Sequence, residues 1–220
     1  MAKTLEVLVA GATGQQGGAV AGALISRGHT VRALTRSPKS DAAKALAQRG
    51  AKVVKGDLTD RDSLRTAAQG VDAIFAVSTP FEQGTDTESQ QGINLTDIAA
   101  ELKIEHLIFS SVGSADKDTG IPHFDSKYRV EEHIVGSGVP YTIIGPVFFM
   151  ENWRSPWFYP ALEQGAVALA LPPSRNLAHV ALRDIGNFAA LIIERRDEFI
   201  GKRFNIASDD LSGSEVADVP

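Results

Sequence analysis

Along the first part of the chain, short runs that are apolar at almost every position alternate with Ala-rich stretches, and glycine marks the joints. Leu5–Val9, Val31–Thr35, Lys52–Lys55, Ala73–Val77, His106–Ser110 and Tyr141–Ile144 are the predicted strands. A strand covered by helices on both faces needs apolar side chains on both, so unbroken rather than alternating runs predict a buried parallel sheet. Arg27-Gly28, Arg49-Gly50 and Gln69-Gly70 each end a helical stretch just before a strand. There glycine adopts the left-handed C-cap conformation at little steric cost. Sustained βαβ alternation with right-handed crossovers predicts the α/β class, a doubly wound parallel sheet with helices on both faces.

After Pro146 the pattern changes to an aromatic-rich segment, a Pro172-Pro173 loop, a helix near Asp184–Arg195 and a strand at Arg203–Ile206. Residues 1–150 are therefore expected to form the core. Residues 151–220 are expected to form a small, incomplete C-terminal cap with segments returning to the core. Ser214–Pro220 begins like a capped helix but is too short to hold alone. The polar stretches Thr79–Ser89 and Gly113–Gly120 read as loops after the fourth and fifth strands.

Composition narrows the function classes. A chain of 220 residues suits one core, and 43% apolar with 22% charged residues is ordinary globular usage. The net charge of −5 offers no basic field for a phosphate backbone, so nucleic acid is not an expected partner. The absence of cysteine removes disulfides and thiolate chemistry, and the five histidines contain no closely spaced ligand pair, so no metal is expected. Met1-Ala2-Lys3-Thr4 runs directly into the first strand without a signal-peptide core, and no apolar run reaches the ~18 residues of a membrane span. A cytoplasmic protein with no membrane partner is the expectation.

The first strand is followed by Gly11-Ala12-Thr13-Gly14-Gln15-Gln16-Gly17-Gly18 and then by helix-compatible residues. Gly11, Gly14 and Gly17 permit a tight turn, close approach of backbone to a pyrophosphate, and close helix–strand packing, while the helix N-terminus offers free N–H groups to an anion. Position after the first strand gives this spacing its weight; an ordinary glycine-rich loop is the alternative. The second strand exits through Thr35-Arg36-Ser37-Pro38-Lys39 with no acid before Asp41. An acid there would select NAD by binding the ribose 2′-hydroxyl. Arg36 instead suits a 2′-phosphate, with Lys39 adding a second charge, unless both are solvated cations. NADP(H) is thus the expected cofactor. Asp57, in Gly56-Asp57-Leu58, either accepts from the adenine amino group or starts the turn into the next helix. Ser78-Thr79 either line the ribose side of the crevice or form a turn before Pro80.

Taken with His123-Phe124-Asp125-Ser126-Lys127 and Phe148-Phe149-Met150-Glu151-Asn152, these motifs make the chain resemble the NmrA-like family of atypical short-chain dehydrogenases/reductases, from the first strand to about Ser208. The resemblance implies a Rossmann-like fold. It implies NADP(H) binding through Gly11, Thr13, Gly14, Gln15, Gln16 and Gly17, then Arg36, Lys39, Asp57, Leu58, Ser78, Thr79 and Lys127, and finally Pro146, Val147, Phe148 and Phe149. Short-chain reductases carry a Tyr four residues before the Lys, so that both lie on one helix face and the Tyr transfers a proton. Here His123 stands at the tyrosine position. Tyr128 follows Lys127 directly and points about 100° away around the helix. Standard tyrosine-based carbonyl reduction is therefore not expected, and the catalytic candidates reduce to Lys127 and His123. His123 can donate a proton, since imidazole titrates near neutrality, or be simply packed or solvent-facing. Ser110-Ser111 read as crevice lining or a capping turn.

The family includes regulators that bind NADP(H) and change protein partners with redox state, and NADPH-dependent quinone reductases that work without the tyrosine. The missing acid favours an NADP(H) sensor with a redox-regulated protein partner. The alternative is an NADPH-dependent reductase of quinones or similar small planar substrates. Six aromatic residues between Phe148 and Tyr159 suit a planar-substrate pocket, a docking surface, or plain core.

Overall fold

The computed structural model describes residues 3–219; Met1 and Ala2 of the N-terminal segment and Pro220 of the expected terminal helix lie outside the described residues. The chain runs β1 (Glu6–Val9), α1 (Gln15–Ser26), β2 (Thr30–Thr35), α2 (Asp41–Gln48), β3 (Lys52–Lys55), α3 (Arg61–Ala68), β4 (Ala73–Ala76), α4 (Gly84–Glu101), β5 (His106–Ser110), α5 (Pro122–Ser137) and β6 (Tyr141–Pro146). It continues through β7 (Phe148–Phe149), a 3-10 turn at Met150–Arg154, α6 (Tyr159–Leu162), β8 (Asn176–Val180), α7 (Leu182–Glu194), α8 (Arg196–Phe199), β9 (Lys202–Ile206), β10 (Asp209–Ser212) and α9 (Gly213–Ala217).

The six strands predicted in the first part of the chain form and are joined by β9, which holds the strand predicted at Arg203–Ile206, in the order β3-β2-β1-β4-β5-β6-β9 with every neighbouring pair parallel. Alternate residues of the same strand feed opposite apolar layers. Val7 and Val9 face Val20 and Leu24 of α1 and Ile185 and Ala189 of α7, whereas Leu8 faces the layer of Leu64, Ile98 and Ile134 from α3, α4 and α5. This double covering is what the unbroken apolar runs required. The expected caps Gly28, Gly50 and Gly70 all have positive φ. Helices α1 and α7 cross in backbone contact: a Cβ at Gly186 would lie 2.6 Å from the Ala19 carbonyl oxygen. No helix among the described residues is long and apolar enough to cross a membrane.

Two features depart from the sequence reading. Thr79–Ser89 is not one loop, because α4 already begins at Gly84. Its first turns have polar residues turned inward, Glu88 and Ser89, whose partners lie on α5, so no apolar periodicity announced them. A second sheet, β10-β8-β7, was not expected at all. Its strands are short and carry Asn176, His179, Asp209 and Asp210, with His179 in register with both Asp209 and Phe148, a composition that does not read as strand. Helix α9 is held by a capping box in which Ser212 and Glu215 exchange hydrogen bonds.

One buried histidine gives the fold a pH dependence. His106 Nε2 lies 2.8 Å from Thr142 Oγ1, and the Thr142 hydroxyl donates to the Phe199 carbonyl at 2.9 Å, so Nε2 is the nitrogen that carries the proton. Nδ1 has no partner among the described residues. Burial first, and the Arg196 charge second, push the pKa down from 6.5 to about 4. The unfolded chain therefore takes up the proton before the folded one does. The contribution is complete above pH 6.5 and is lost as the pH falls towards about 4, a span worth about 3 kcal/mol. Urea unfolding across that window should show the acid-side loss in the native protein and a shallower one in His106→Gln; identical slopes would rule it out.

Candidate functional site

The strand order reverses direction between β1 and β4, and a crevice opens beyond their carboxyl ends, as expected for a doubly wound sheet. It forms a cavity of about 810 Å³ to which the exits of β1 to β6 all contribute. At its centre is the glycine turn. Gly11 has φ of +61°, and a Cβ at Gly17 would lie 2.3 Å from the Gly11 carbonyl oxygen, so α1 rests directly on the loop that precedes it. Gly14 is the N-cap of α1 and supplies no side-chain acceptor. The first-turn N–H groups of Gln15, Gln16 and Gly17 thus face the cavity with the positive end of the helix dipole. The Gln16 side chain is engaged, donating to Ser110 Oγ at 2.7 Å.

At one end stands Arg36, exposed at the exit of β2 and paired with Glu82 at 2.7 Å. Both residues are more than half exposed, so the pair contributes little stability and leaves the guanidinium exchangeable. Lys39 is exposed and outside the cavity lining. Asp57 lines the wall, and its Oδ1 accepts from both the Thr59 amide and the Thr59 hydroxyl. These two bonds, with the charge of Arg36 beyond them, hold its carboxyl below the usual carboxylate range. The N-cap of α3 is Asp60, not Asp57, since Asp60 accepts from Asp62 and Ser63. Leu58 lies beside Asp57 on the same wall.

The other end is built around Lys127, which is buried on α5. Its Nζ donates to the carbonyls of Ser78 at 2.7 Å and Ser110 at 3.3 Å, and lies 3.2 Å from Glu88 Oε1. Burial lowers its pKa, and the adjacent Glu88 charge opposes that shift. Ser78 Oγ is buried without a hydrogen-bond partner among the described residues, Glu88 Oε1 has only the Lys127 ammonium, and both residues line the cavity. Thr79 lines it from an exposed position one residue on. His123 is also exposed on the cavity wall, one helical turn before Lys127, with its ring edge-on to Phe124. Tyr128 is exposed and does not line the cavity.

At the end of β6 and just after it, Pro146, Val147 and Phe149 close the cavity, together with Asn152. Phe148 does not, because successive strand residues point to opposite faces. It turns into a cluster with Trp153, Phe158 and His179, at ring separations of 5.3 to 5.9 Å. The aromatic segment is therefore divided three ways: Phe149 lines the crevice, the cluster packs around His179, and Trp157 is 87% exposed. Glu151 serves a structural end, since its carboxylate accepts from the Leu182 amide at the start of α7.

Apart from Lys39 and Phe148, every residue the resemblance assigns to the cofactor meets at this one cavity together with His123, and of the Ser110-Ser111 pair Ser111 lines it while Ser110 does not. Glu88, Val112, Asn152 and Glu82 also line it and were not anticipated. Glu88 had no signal in the sequence, because its burial depends on the contact of α4 with α5.

The model of the NmrA-like family matches residues 3–219. The NmrA-like family domain-containing oxidoreductase FrzB of Cladobotryum sp is 35% identical over 162 residues, covering 68% of this chain and 48% of that protein, so the chain spans about half of that relative's length. Among solved structures, the NADPH-dependent quinone oxidoreductase QOR2 from Escherichia coli, complexed with NADPH, superposes with a TM-score of 0.81 at 25% identity over 97% of this chain and 72% of that one. NmrA, a negative transcriptional regulator, in complex with NADP, gives 0.84 at 22% identity over 97% of this chain and 69% of its own. With its Rossmann-like fold and a family match that runs nearly end to end, the chain belongs to the NmrA-like family.

Proposed function

We propose that the crevice binds NADP(H) and that the protein is a redox-state sensor, with cofactor binding altering its surface towards a protein partner. The observation that carries the cofactor reading is the run of complementary groups along one cavity: Arg36 at one end, the uncapped glycine-lined start of α1 in the middle, and Lys127, ion-paired with Glu88, beside the unpartnered Ser78 Oγ at the other. A 2′-phosphate, a pyrophosphate and a ribose call for these groups in that order. Asp57 and Leu58 would flank the adenine; Thr79 and Lys127 would meet the second ribose; Pro146, Val147 and Phe149 would bound the nicotinamide. Lys39, from its exposed position, would add long-range attraction rather than contact.

When bound, the nicotinamide supplies a hydride. Sensing is favoured over turnover by the state of the groups around it. The N–H groups of Lys127 are already directed at Ser78, Ser110 and Glu88, which suits a holding role more than proton delivery. A second reading, an NADPH-dependent reductase of quinones or similar planar acceptors, is favoured by His123, whose exposed imidazole shares the cavity with Phe149 and Asn152. The names of FrzB and QOR2 support that reading, and the name of NmrA supports the first.

Titration of the purified protein with NADPH, NADP+, NADH and NAD+, followed by an NADPH-oxidation screen against quinones, separates the two. Arg36→Ala should weaken NADP(H) binding by about 1.5–3 kcal/mol, as for a charged hydrogen bond, and leave NAD(H) almost unchanged. Equal losses for both would remove Arg36 as the selector. Lys127→Ala should weaken the cofactor while His123→Ala should not. If His123→Ala abolished quinone turnover at unchanged affinity, the reductase would be the correct reading.

A further inference from the structure

We propose that Glu88 is a positioning residue of the crevice, a buried counter-charge on α4 that keeps the Lys127 ammonium protonated and held at the ribose end of the cavity. This rests on the reading that Lys127 meets a bound dinucleotide. Glu88 is fully buried although its carboxylate belongs to no cap and no surface ion pair. Its Oε2 accepts from Ser126 Oγ at 2.5 Å, the residue just before Lys127, and Ser89 Oγ in turn donates to the Ser126 carbonyl at 3.0 Å. Helices α4 and α5 touch closely here, since a Cβ at Gly92 would lie 2.6 Å from Val130. Ser126 thus holds Oε2 while Oε1 lies 3.2 Å from Nζ.

The surrounding charges single it out. On α5, His123 lies one turn before Lys127, exposed, and Glu131 lies one turn after. Glu131 is already matched, accepting from Arg203 of β9 at 2.7 Å and from the Ser111 hydroxyl. From β4 and β5 Lys127 receives only neutral groups, the carbonyls of Ser78 and Ser110 and the face of Phe109 at 5.3 Å. From α1, the Gln16 side chain is spent on Ser110 Oγ. Glu88 is therefore the one unshared negative charge at the ammonium among the described residues. Burial disfavours the ammonium, and Glu88 is the largest influence acting against that. Glu88→Gln keeps the shape and the Ser126 contact but removes the charge, so Lys127 should release its proton at lower pH. A neutral amine holds an anionic cofactor less well.

Two measurements test this, from about pH 6 to about pH 9, where an uncompensated buried lysine titrates. The first is NADPH affinity by fluorescence for the native protein, Glu88→Gln and Glu88→Asp; the cofactor's own phosphates titrate alike against all three. Affinity should be flat in the native protein and Glu88→Asp, and should fall about tenfold with rising pH in Glu88→Gln, the change for one unit of altered protonation. The second is the thermal midpoint of the cofactor-free proteins. In Glu88→Gln the unfolded chain binds a proton that folded Lys127 gives up, so its midpoint should rise with pH relative to the native protein, and Glu88→Gln/Lys127→Met should abolish that slope. If Glu88→Gln does not fold, the neutral pair Glu88→Gln/Lys127→Met should restore folding. Parallel pH profiles for native and Glu88→Gln, a slope that survives in the double variant, or a double variant that stays unfolded would each overturn the role. If the native protein binds no NADPH at any pH, the cofactor reading fails, and the thermal profiles still decide whether Glu88 sets the state of Lys127.

Discussion

Only a hydrogen atom fits at position 17. Because the place of a Cβ there is 2.3 Å from the Gly11 carbonyl oxygen, helix α1 sits against the exit of β1 with no side chain between them. That contact decides how far α1 stands from the sheet, and so where its first-turn N–H groups open into the crevice. The same closeness is carried outward one layer, where Gly186 lets α7 lie on the backbone of α1. Segment 182–194 follows the aromatic stretch in sequence, yet this contact returns it to the central sheet, and Glu151 ties the intervening turn to its first amide. The glycine turn thus sets packing and the shape of the crevice at once: a larger residue at position 17 would move the first-turn amides that open into it and loosen the layer that supports them.

Electrostatics governs the opposite side of the crevice. Helix α5 presents Lys127 and, one turn later, Glu131 to the interior, and each is matched by a residue from another element, Glu88 from α4 and Arg203 from β9. Charges taken out of water are costly unless paired, so these contacts hold α4, α5 and β9 in one relative arrangement more than they add net stability. The exit of β5 is caught between the pairs: the Ser110 carbonyl accepts from Lys127, and the Ser111 hydroxyl donates to Glu131. The crevice wall on this side is therefore a polar scaffold, whereas the wall at α1 is a steric one.

This difference explains what could be read from the chain before its structure. Steric demands leave a signature in residue type. Gly11, Gly14 and Gly17 announced the turn, the unbroken runs at Leu5–Val9 and His106–Ser110 announced a buried sheet, and Gly28, Gly50 and Gly70 announced helix ends. Arg36 was legible because a strand exit without an acid is itself informative. Paired charges leave no such mark. Glu88 sits in a polar stretch, Thr79–Ser89, that reads as loop, and it becomes a buried helical residue only because Lys127 and Ser126 arrive from a segment almost forty positions away. The small sheet was hidden for a related reason: β7 is two residues long, and β8 and β10 earn their pairing through register with each other, not through apolar content. Phe148 and Phe149 were read as one unit, but the alternation of a strand sends them to different clusters.

The matched charges also bear on how such a crevice would tell oxidised from reduced cofactor. NADP+ carries a positive charge on the nicotinamide ring that NADPH lacks, and a lone ammonium at that end would oppose it. Here the Lys127 charge is answered by Glu88 and the Glu131 charge by Arg203, so the wall holds no unbalanced charge to favour either state strongly. A ligand shifts a conformational equilibrium only by its differential affinity for the two states. Discrimination between the two cofactor forms would then come from the shape of what lines that end of the cavity, the exposed His123, Phe149 with Asn152, and the segment from Thr79 to Glu82 that carries the solvent-exposed Phe81. Sensor and reductase readings converge on these same residues: a regulator would use their rearrangement as its signal, and a reductase would use it to seat a planar acceptor against the ring.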